Sequence, residues 1–341
     1  MQRLLNTLYV TNPDALLSKR NDAIRIAVEN KEVMSIPFHL LEGIVLFGHA
    51  RCTHSLMGEC ATRGIDVTFR DEGGRFQARV CGPTSGNVLL RRAQYQAAFD
   101  ERKCLDIAKR FVLAKIHNTR IVLQHSARDR KKADSDALRD AASFLQGCKK
   151  RVHEVQDLNQ LRGIEGSAAG TYFSVFGKML TIDNRRKLYK GRSKRPPADP
   201  VNAALSFFYS MLARELTSGC EDVGLDPQMG YLHACRPGRT SLALDLIEEL
   251  RAPIVDRFVL SLFNRRQLRE QDFRTDGTGV YFTDRALKEV LTLWQGRKQE
   301  VIMHPFLDEK VPLGLLPCIQ PRLLSRFLRG DLNDYPAIMW R

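Results

Sequence analysis

No two of the eight cysteines in this sequence have the CxxC spacing, and they are spread along the chain. Zinc ribbons and disulfide frameworks place cysteines in close pairs or regular sets, so neither is indicated here. We therefore expect free thiols at all eight positions, namely Cys52, Cys60, Cys81, Cys104, Cys148, Cys220, Cys235 and Cys318.

Long hydrophobic runs are missing as well. The first residues, MQRLLNTLYVTNPDALL, contain an apolar stretch that is too short for a signal peptide, because Asn6, Thr7, Asn12 and Pro13 interrupt it. No later run reaches the roughly 20 apolar residues that cross a membrane. We expect a soluble, cytoplasmic protein without a membrane partner.

Acidic residues are outnumbered: 53 Lys and Arg stand against 39 Asp and Glu, a formal net charge of +14. Such a charge attracts polyanions and would make nucleic-acid binding depend on salt, although it does not specify the polyanion. Seven of the eleven residues in RRKLYKGRSKR are basic and none is acidic. This basic segment is either a solvated mobile loop or a surface for DNA phosphates, and its charged residues are Arg185, Arg186, Lys187, Lys190, Arg192, Lys194 and Arg195.

The length of 341 residues favours two domains. Residues 1 to about 80 have the alternating, β-branched pattern of short strands, with a hairpin signal at DEGG (Asp71 to Gly74) and a short helix over HSLMGECATRG. Turn formers in CGPTSGN, Cys81 to Asn87, indicate a domain boundary. We therefore predict an α+β protein, with an all-β domain over residues 1–85 and a larger all-α domain over residues 86–341.

From Val88 onward apolar residues recur at helical spacing, as in Leu105, Ala108, Val112 and Ile116. This pattern predicts a long helix or a helix pair. The charged stretch SARDRKKADSDALRD is expected to separate it from the next helix, and helices continue to the C-terminus.

The stretch GYLHACRPGRTSLALDLIEELRAP predicts a helix that starts near Thr240 or Ser241, after the Pro237-Gly238 turn. At about 100° per residue its leucines share one arc, whereas Asp245, Glu248 and Glu249 share the opposite one. Asp245 and Glu248 could meet at one cation, and hard ions such as Mg²⁺ or Mn²⁺ take oxygen ligands. The alternative is the wet face of an ordinary amphipathic helix.

Three further residues of this region, and one residue upstream, each allow two interpretations. His233 is either a metal ligand or a satisfied core or turn residue. Arg236 and Arg239 either solvate the helix start or clamp a phosphodiester. Glu165, between two glycines in GIEGSAAGTYF, is either a first-turn glutamate favoured by the helix dipole or a carboxylate delivered into the core of the domain.

The order and the sequences of several motifs together resemble those of a known family. GIEGSAAGTYF is followed by RSKRPPADPVNAALSFFY, by LDPQMGYLHACRPGRTSLALDLIEELRAPIVDR and by HPFLDEKVPLGLLPCIQPRLLSRFLRGD. With the earlier IPFHLLEGIVLFG, NVLLRRAQYQAAFD and AKIHNTR, essentially the whole chain resembles the CRISPR-associated protein Cas1 family. Within that family, the sequence is most similar to the subtype I-C branch.

The resemblance implies an N-terminal β-sandwich with dimerisation and companion contacts, followed by a helical, metal-dependent catalytic domain. It assigns Glu165, His233 and Glu248 as ligands of Mg²⁺ or Mn²⁺, and Asp245 as the neighbouring acidic residue of the catalytic set. By the same resemblance, the two arginines of the predicted turn lie in a basic turn beside the metal.

The resemblance also implies the reaction and the partners. A 3′-hydroxyl of a short DNA fragment attacks a phosphodiester at the repeat boundary of a CRISPR array, and family members show metal-dependent nuclease activity on DNA. The expected nucleic-acid partners are double-stranded and branched DNA. A homodimer that joins a small ferredoxin-like companion, Cas2, would supply the two active sites needed. Two alternatives stay open: a stand-alone metal-dependent nuclease that acts on branched DNA in repair, and a non-catalytic DNA-binding protein.

Overall fold

The computed structural model describes residues 7–41, 43–72, 76–80, 82, 88–128 and 131–340. Two compact units form, and their boundaries are not those of a single cut in the chain. The first unit comprises Met1–Ser85, Phe282–Glu300 and Pro312–Leu315, and the second comprises Gly86–Tyr281, Val301–Val311 and Leu316–Arg341. None of the helices in the described ranges is long and apolar enough to cross a membrane.

The first unit is rich in strands, as its alternating pattern predicts. Two four-stranded sheets have the orders β1-β5-β7-β8 and β4-β3-β2-β6. The strands are β1 (Thr7–Val10), β2 (Ala15–Arg20), β3 (Ala23–Val28), β4 (Lys31–Pro37), β5 (Gly43–Phe47), β6 (Arg51–Cys52), β7 (Asp66–Arg70) and β8 (Phe76–Val80).

Strands β7 and β8 pair antiparallel, in agreement with the predicted hairpin. The DEGG turn itself lies partly outside the described residues, and so does most of the predicted boundary from Cys81 to Asn87. The predicted short helix is confirmed as α1 (His54–Arg63). It is capped by the Thr53 side chain, which accepts the Leu56 N–H, and it ends at Gly64 with a φ of 69°.

One hydrophobic core holds the first unit together and draws on both sheets. Leu17 and Ile24 come from one sheet, Ile44 and Val67 from the other, and Leu56 from α1. Strand β5 is buried at every residue, because it is an inner strand, parallel to both neighbours. A helix far along the sequence, α10 (Asp284–Gln299), also belongs to this unit, which the sequence pattern did not predict.

The second unit is mainly helical, as predicted. Its helices are α2 (Val88–Phe99), α3 (Glu101–Ala127), α4 (Lys132–Val152), α5 (Leu158–Val175), α6 (Arg185–Leu188), α7 (Pro200–Asp222), α8 (Ser241–Leu250), α9 (Arg257–Asn264) and α11 (Leu316–Leu328), with a π-helical turn (Arg251–Asp256) between α8 and α9. The prediction of a purely helical second part was incomplete, because two two-stranded sheets occur there as well. They are formed by β9 (Phe273–Asp276) with β10 (Gly279–Phe282) and by β11 (Val301–Met303) with β12 (Lys310–Pro312).

The predicted helix pair is confirmed as α2 and α3, but the charged stretch that should follow it is mostly helical. Helix α4 begins at Lys132 and buries Leu138, Ala142 and Leu145, while its charged side chains lie mainly on the other face. Charge density alone therefore does not mark a linker when apolar residues recur at helical spacing. Helix α3 packs against α4, α5 and α8, so it forms the centre of the unit.

Candidate metal centre

Helix α8 begins at Ser241 with Thr240 at its N-cap, as predicted, but its polar face is not wet. The exposed fractions of Asp245, Glu248 and Glu249 are 0%, 4% and 0%. Burying an ionised carboxylate is unfavourable unless charges or hydrogen bonds compensate it. The reading of an ordinary solvated helix face was therefore wrong, and each carboxylate must have compensating partners.

Asp245 is compensated by the segment that precedes α8. Its carboxylate accepts the backbone N–H groups of Tyr231, Leu232 and His233 at 2.6, 3.0 and 2.9 Å. Gly230 permits this wrap, because a Cβ there would lie 2.9 Å from Asp245 Oδ2 and 2.8 Å from the backbone of α8. The segment is thus built around the aspartate.

The His233 ring is oriented by the same carboxylate. Its Nδ1 lies 2.7 Å from Asp245 Oδ1, and its Nε2 lies 4.0 Å from Glu248 Oε1. A carboxylate on Nδ1 fixes the tautomer that leaves Nε2 free to accept, which is the arrangement that surrounds metal-binding histidines. Helix α5 braces the segment too, since Arg162 Nε donates to Leu232 O at 2.8 Å.

Glu165 projects from the middle of α5, not from its first turn. The helix begins at Leu158 and is capped by Asp157, whose side chain accepts the N–H groups of Asn159 and Gln160. The first-turn reading of Glu165 was therefore wrong, and the helix dipole does not account for its position. Its side chain is one-quarter exposed and faces the carboxylate of Glu248 across a shared cation.

That shared cation is the ammonium group of Lys115, from α3. It contacts Glu165 Oε1 and lies 2.5 Å from Glu248 Oε2, and the lysine side chain is largely buried. Arg251 approaches Glu248 from the other side, with Nη1 3.1 Å from Oε1. Burial opposes the ionisation of Glu248, but the charges of Lys115 and Arg251 outweigh it and lower its pKa to about 2.

Arg251 is held by a second layer of contacts. Its guanidinium lies over the ring of Tyr209, 4.2 Å from the centroid, and the Tyr209 hydroxyl donates to the buried Asp256. Burial would lower the pKa of Arg251, but Glu248, Tyr209 and Asp256 together raise it, so the guanidinium remains charged. The π-helical turn after α8 carries both Arg251 and Asp256, and such turns are frequent at functional sites.

The chemistry of the predicted ligands suits a hard divalent cation, but a lysine ammonium group lies between two of them. Glu248 Oε2 is buried without a hydrogen-bond partner, because Lys115 pairs with it by charge but not in hydrogen-bond geometry. Two carboxylates and a free imidazole nitrogen are donors that suit Mn²⁺ or Mg²⁺. Within the described ranges, however, no three His, Cys, Asp or Glu side chains are grouped closely enough to hold a metal ion. The ammonium of Lys115 lies between the two carboxylates.

The structure separates the predicted DNA-binding residues into two groups. Arg185 and Arg192 are partly buried and engaged: Arg185 pairs with Asp134 at 2.6 Å, and Arg192 donates to Asn202 at 2.7 Å. The other predicted side chains of the basic segment are exposed, namely Arg186, Lys187, Lys190, Lys194 and Arg195.

The backbone of the basic segment is tied to the start of α7. Asn202 Nδ2 donates to Gly191 O at 2.6 Å, and Lys190 N donates to Asp199 Oδ2 at 3.1 Å. The segment therefore has defined anchors rather than the form of an unanchored loop. In the turn before α8, Arg236 is exposed and Arg239 is half-buried.

A family model described as CRISPR associated protein Cas1 matches residues 8–296. The chain belongs to the Cas1 family. A protein named CRISPR-associated endonuclease Cas1 1, from Chlorobaculum tepidum, is 46% identical over 343 residues, which cover 100% of both chains. The family predicted from the motifs is thus confirmed.

Two solved structures share the fold of this Cas1-family chain. A Cas1 protein from Thermotoga maritima has a TM-score of 0.82 and 23% identity, covering 96% of this chain and 97% of its own. A casposase bound to an integration product has a TM-score of 0.83 and 20% identity, covering 99% and 95%. At these identities the similarity shows the fold alone.

Two charged residues of this Cas1-family site, Lys115 and Arg251, were not among the predicted site residues. Arg251 had a signal, because it follows Glu248 by three residues on a helix and can therefore reach it. Lys115 lies in AKIHNTR, a lysine followed by apolar and polar residues on an amphipathic helix, and its local pattern is that of an ordinary surface lysine. Only the packing of α3 against α5 and α8 turns it inward.

Proposed function

We propose that this protein is a metal-dependent DNA endonuclease and integrase of CRISPR adaptation, which inserts short foreign DNA fragments into a CRISPR array. The observation that carries the proposal is the meeting of Glu165 and Glu248, from different helices, at one cation position beside an imidazole held by Asp245. An amphipathic helix has no need of such convergence, whereas phosphoryl transfer at a metal requires it.

The residues have distinct roles in this proposal. Glu165, Glu248 and His233 Nε2 would hold a Mg²⁺ or Mn²⁺ ion, and Asp245 is the residue that fixes the ring of His233. When bound, such an ion supplies Lewis-acid polarisation of a phosphodiester and stabilises the displaced oxygen. Lys115 and Arg251 keep Glu248 ionised, and Arg251 also orients it, which preserves its capacity to act as a ligand.

The reaction joins DNA by exchanging one phosphodiester for another. The 3′-hydroxyl oxygen of the fragment bonds to the phosphorus at the repeat boundary, while the bond from that phosphorus to the 3′-oxygen of the neighbouring nucleotide outside the repeat breaks. The hydroxyl gives up a proton and the displaced oxygen gains one. Arg236 and Arg239, beside the His233 segment, would bind the phosphates that flank this centre. The exposed residues of the basic segment would neutralise further phosphates of the duplex.

The same proposal extends to assembly and location. The two sheets of the first unit would form the β-sandwich through which two copies associate. A homodimer with the small companion Cas2 would present two active sites to double-stranded or branched DNA. We place the protein in the cytoplasm and within subtype I-C.

One assay tests the function against its rivals. The protein is incubated with a labelled DNA fragment, a repeat-bearing plasmid and Mn²⁺, with and without Cas2 and with and without EDTA. Joined product that requires Cas2 and disappears with EDTA supports the proposal. Cleavage of branched DNA without joining, independent of Cas2 and repeat, would indicate a stand-alone repair nuclease. DNA binding that EDTA does not change, without any joined or cleaved product, would indicate a non-catalytic DNA-binding protein.

A further inference from the structure

The ammonium group of Lys115 occupies an unusual place in the candidate metal centre. It is largely buried, and it contacts one oxygen each of Glu165 and Glu248, which are carried by different helices. A position between two converging carboxylates is the position that a divalent cation would take. A lysine that only stabilised the fold would need to pair with one carboxylate, and not with both of the proposed metal ligands.

We propose that Lys115 is an exchangeable cation: it holds the two ligand carboxylates together when no metal is bound, and the metal displaces it. The inference rests on the proposed metal centre and adds a residue that the ligand set does not include. Lys115 is therefore a positioning residue whose charge sets how strongly the site binds a divalent ion.

Electrostatics makes the exchange necessary. Two like charges a few ångströms apart in a buried site repel strongly, so the ammonium and a divalent ion cannot share the space between Glu165 and Glu248. Lysine suits this task because its ammonium ends a flexible chain that can swing away, whereas an arginine would bind the carboxylates as a fixed fork. Arg251 need not move, because it contacts the other oxygen of Glu248.

Charge balance explains why the lysine would remain useful after exchange. Asp245, Glu165 and Glu248 carry one more charge than Lys115 and Arg251 together, so a divalent ion would leave these five groups and the ion with a single positive charge. A phosphodiester carries a single negative charge and would neutralise it. The ammonium released from the carboxylates would find its new acceptor there, so that metal and DNA would bind with positive coupling.

The first measurement is Mn²⁺ affinity without DNA, by isothermal titration calorimetry on the full chain. Lys115→Met and Lys115→Gln remove the competing charge, so both are expected to bind Mn²⁺ at least about tenfold more tightly than the wild type. Lys115→Arg keeps the charge and should stay close to the wild type or below it. Lys109→Met, on the same helix, is the matched control for the loss of a lysine, and His233→Ala shows which heat belongs to this centre.

Thermal unfolding in EDTA provides the second readout. Without a cation between them, Glu165 and Glu248 repel each other, so both neutral variants should melt below the wild type, and Mn²⁺ should restore more of their stability. The glutamine variant keeps a hydrogen-bond donor for the carboxylates, so it serves if the methionine variant does not fold.

The outcomes separate this inference from the proposed function. If the wild type binds Mn²⁺ through His233 but the neutral variants bind it no more tightly, Lys115 does not compete and the inference is overturned while the metal centre stands. If the wild type binds no Mn²⁺ at all, the metal centre falls and the inference falls with it. Tighter binding in the neutral variants upholds the exchange even if no DNA joining is found.

Discussion

Glu248 and Glu249 are adjacent in α8 and both are buried, yet their carboxylates face different surroundings. Glu248 lies between Lys115 and Arg251, whereas the carboxylate of Glu249 accepts hydrogen bonds from three uncharged groups: the Tyr335 hydroxyl, the Ile338 N–H at 2.6 Å and the Gln320 amide at 2.8 Å. Cations lower the pKa of Glu248 to about 2. Burial raises the pKa of Glu249 to about 7, against the effect of its three donors.

This contrast predicts a pH dependence of stability that Glu249→Gln should remove. A carboxyl whose pKa is raised on folding contributes stability that is complete below its ordinary value of 4.5 and is lost as the pH rises through about 7. The wild type should therefore lose about 3 kcal/mol relative to the variant between those two pH values. Urea unfolding in EDTA at a series of pH values measures the difference.

The control for that experiment is Glu101→Gln, which removes an exposed carboxylate from α3. This variant measures how far the loss of one exposed carboxylate changes stability. Glu248→Gln should diverge in the opposite sense, because a lowered pKa gives stability that is present above pH 4.5 and lost as the pH falls through about 2. Parallel curves for the wild type and Glu249→Gln would contradict the assignment of Glu249.

Asp245→Asn tests whether the His233 ring needs its carboxylate. The amide keeps the size of the side chain, but its NH₂ group cannot accept the hydrogen bonds that a carboxylate oxygen accepts at that position. The His233 ring therefore loses the contact that fixes its tautomer. We expect Mn²⁺ affinity and strand transfer to fall about 10- to 100-fold. Asp226→Asn is the matched control, because Asp226 binds the Tyr95 hydroxyl away from this carboxylate. Unchanged Mn²⁺ affinity would show that the ring is held by other contacts.

Loss of a ligand should be more severe than loss of its support. His233→Ala or Glu165→Ala is expected to abolish Mn²⁺-dependent strand transfer while leaving the fold and most DNA binding intact, because DNA affinity arises mainly from phosphate contacts. Joined product and DNA affinity are measured on the same preparations. Full strand transfer by either variant would refute the metal assignment.

Helix α8 shows how far sequence periodicity reaches. The start at Ser241 and the shared arc of Asp245 and Glu248 were predicted, because a helix turns by a fixed angle per residue. That the arc is buried was not predictable from the helix itself. Helices α3 and α7 pack over it, and the charge of Lys115 and the C-terminal residues that contact Glu249 come from distant parts of the sequence; only the 231–233 backbone and Arg251 are close to α8 in the chain.

For Glu165, the predicted start of the helix was wrong. Its two flanking glycines suggest a helix start, although Asp157 offers a side-chain cap and gives the stronger signal. Glycine lowers helix propensity by only about 1 kcal/mol, and tertiary packing overrides that amount. The metal role was therefore proposed from the family resemblance, and the helix that delivers Glu165 was placed too late in the chain.

The basic segment provides the last prediction, since its residues divide into anchors and exposed charges. Lys190→Ala with Lys194→Ala should weaken binding to all DNA sequences alike and reduce the salt slope of the affinity by about two, roughly one for each lysine. Lys288→Ala with Lys310→Ala removes the same charge from exposed sites elsewhere and controls for net charge. Fluorescence anisotropy at several salt concentrations measures the slopes.

Arg192→Ala should behave differently, because its guanidinium donates to Asn202 and lies 5.6 Å from the Tyr209 ring centroid. Removing it should cost about 1–2 kcal/mol in the free energy of unfolding, through the lost hydrogen bond and ring contact, with a smaller change in the salt slope. A salt slope that falls as much for Arg192→Ala as for the lysine pair would mean that Arg192 also binds phosphate. An unchanged slope for the lysine pair would instead mean that the exposed charges are only solvated, and DNA contact would then have to come from elsewhere, beginning with Arg236 and Arg239.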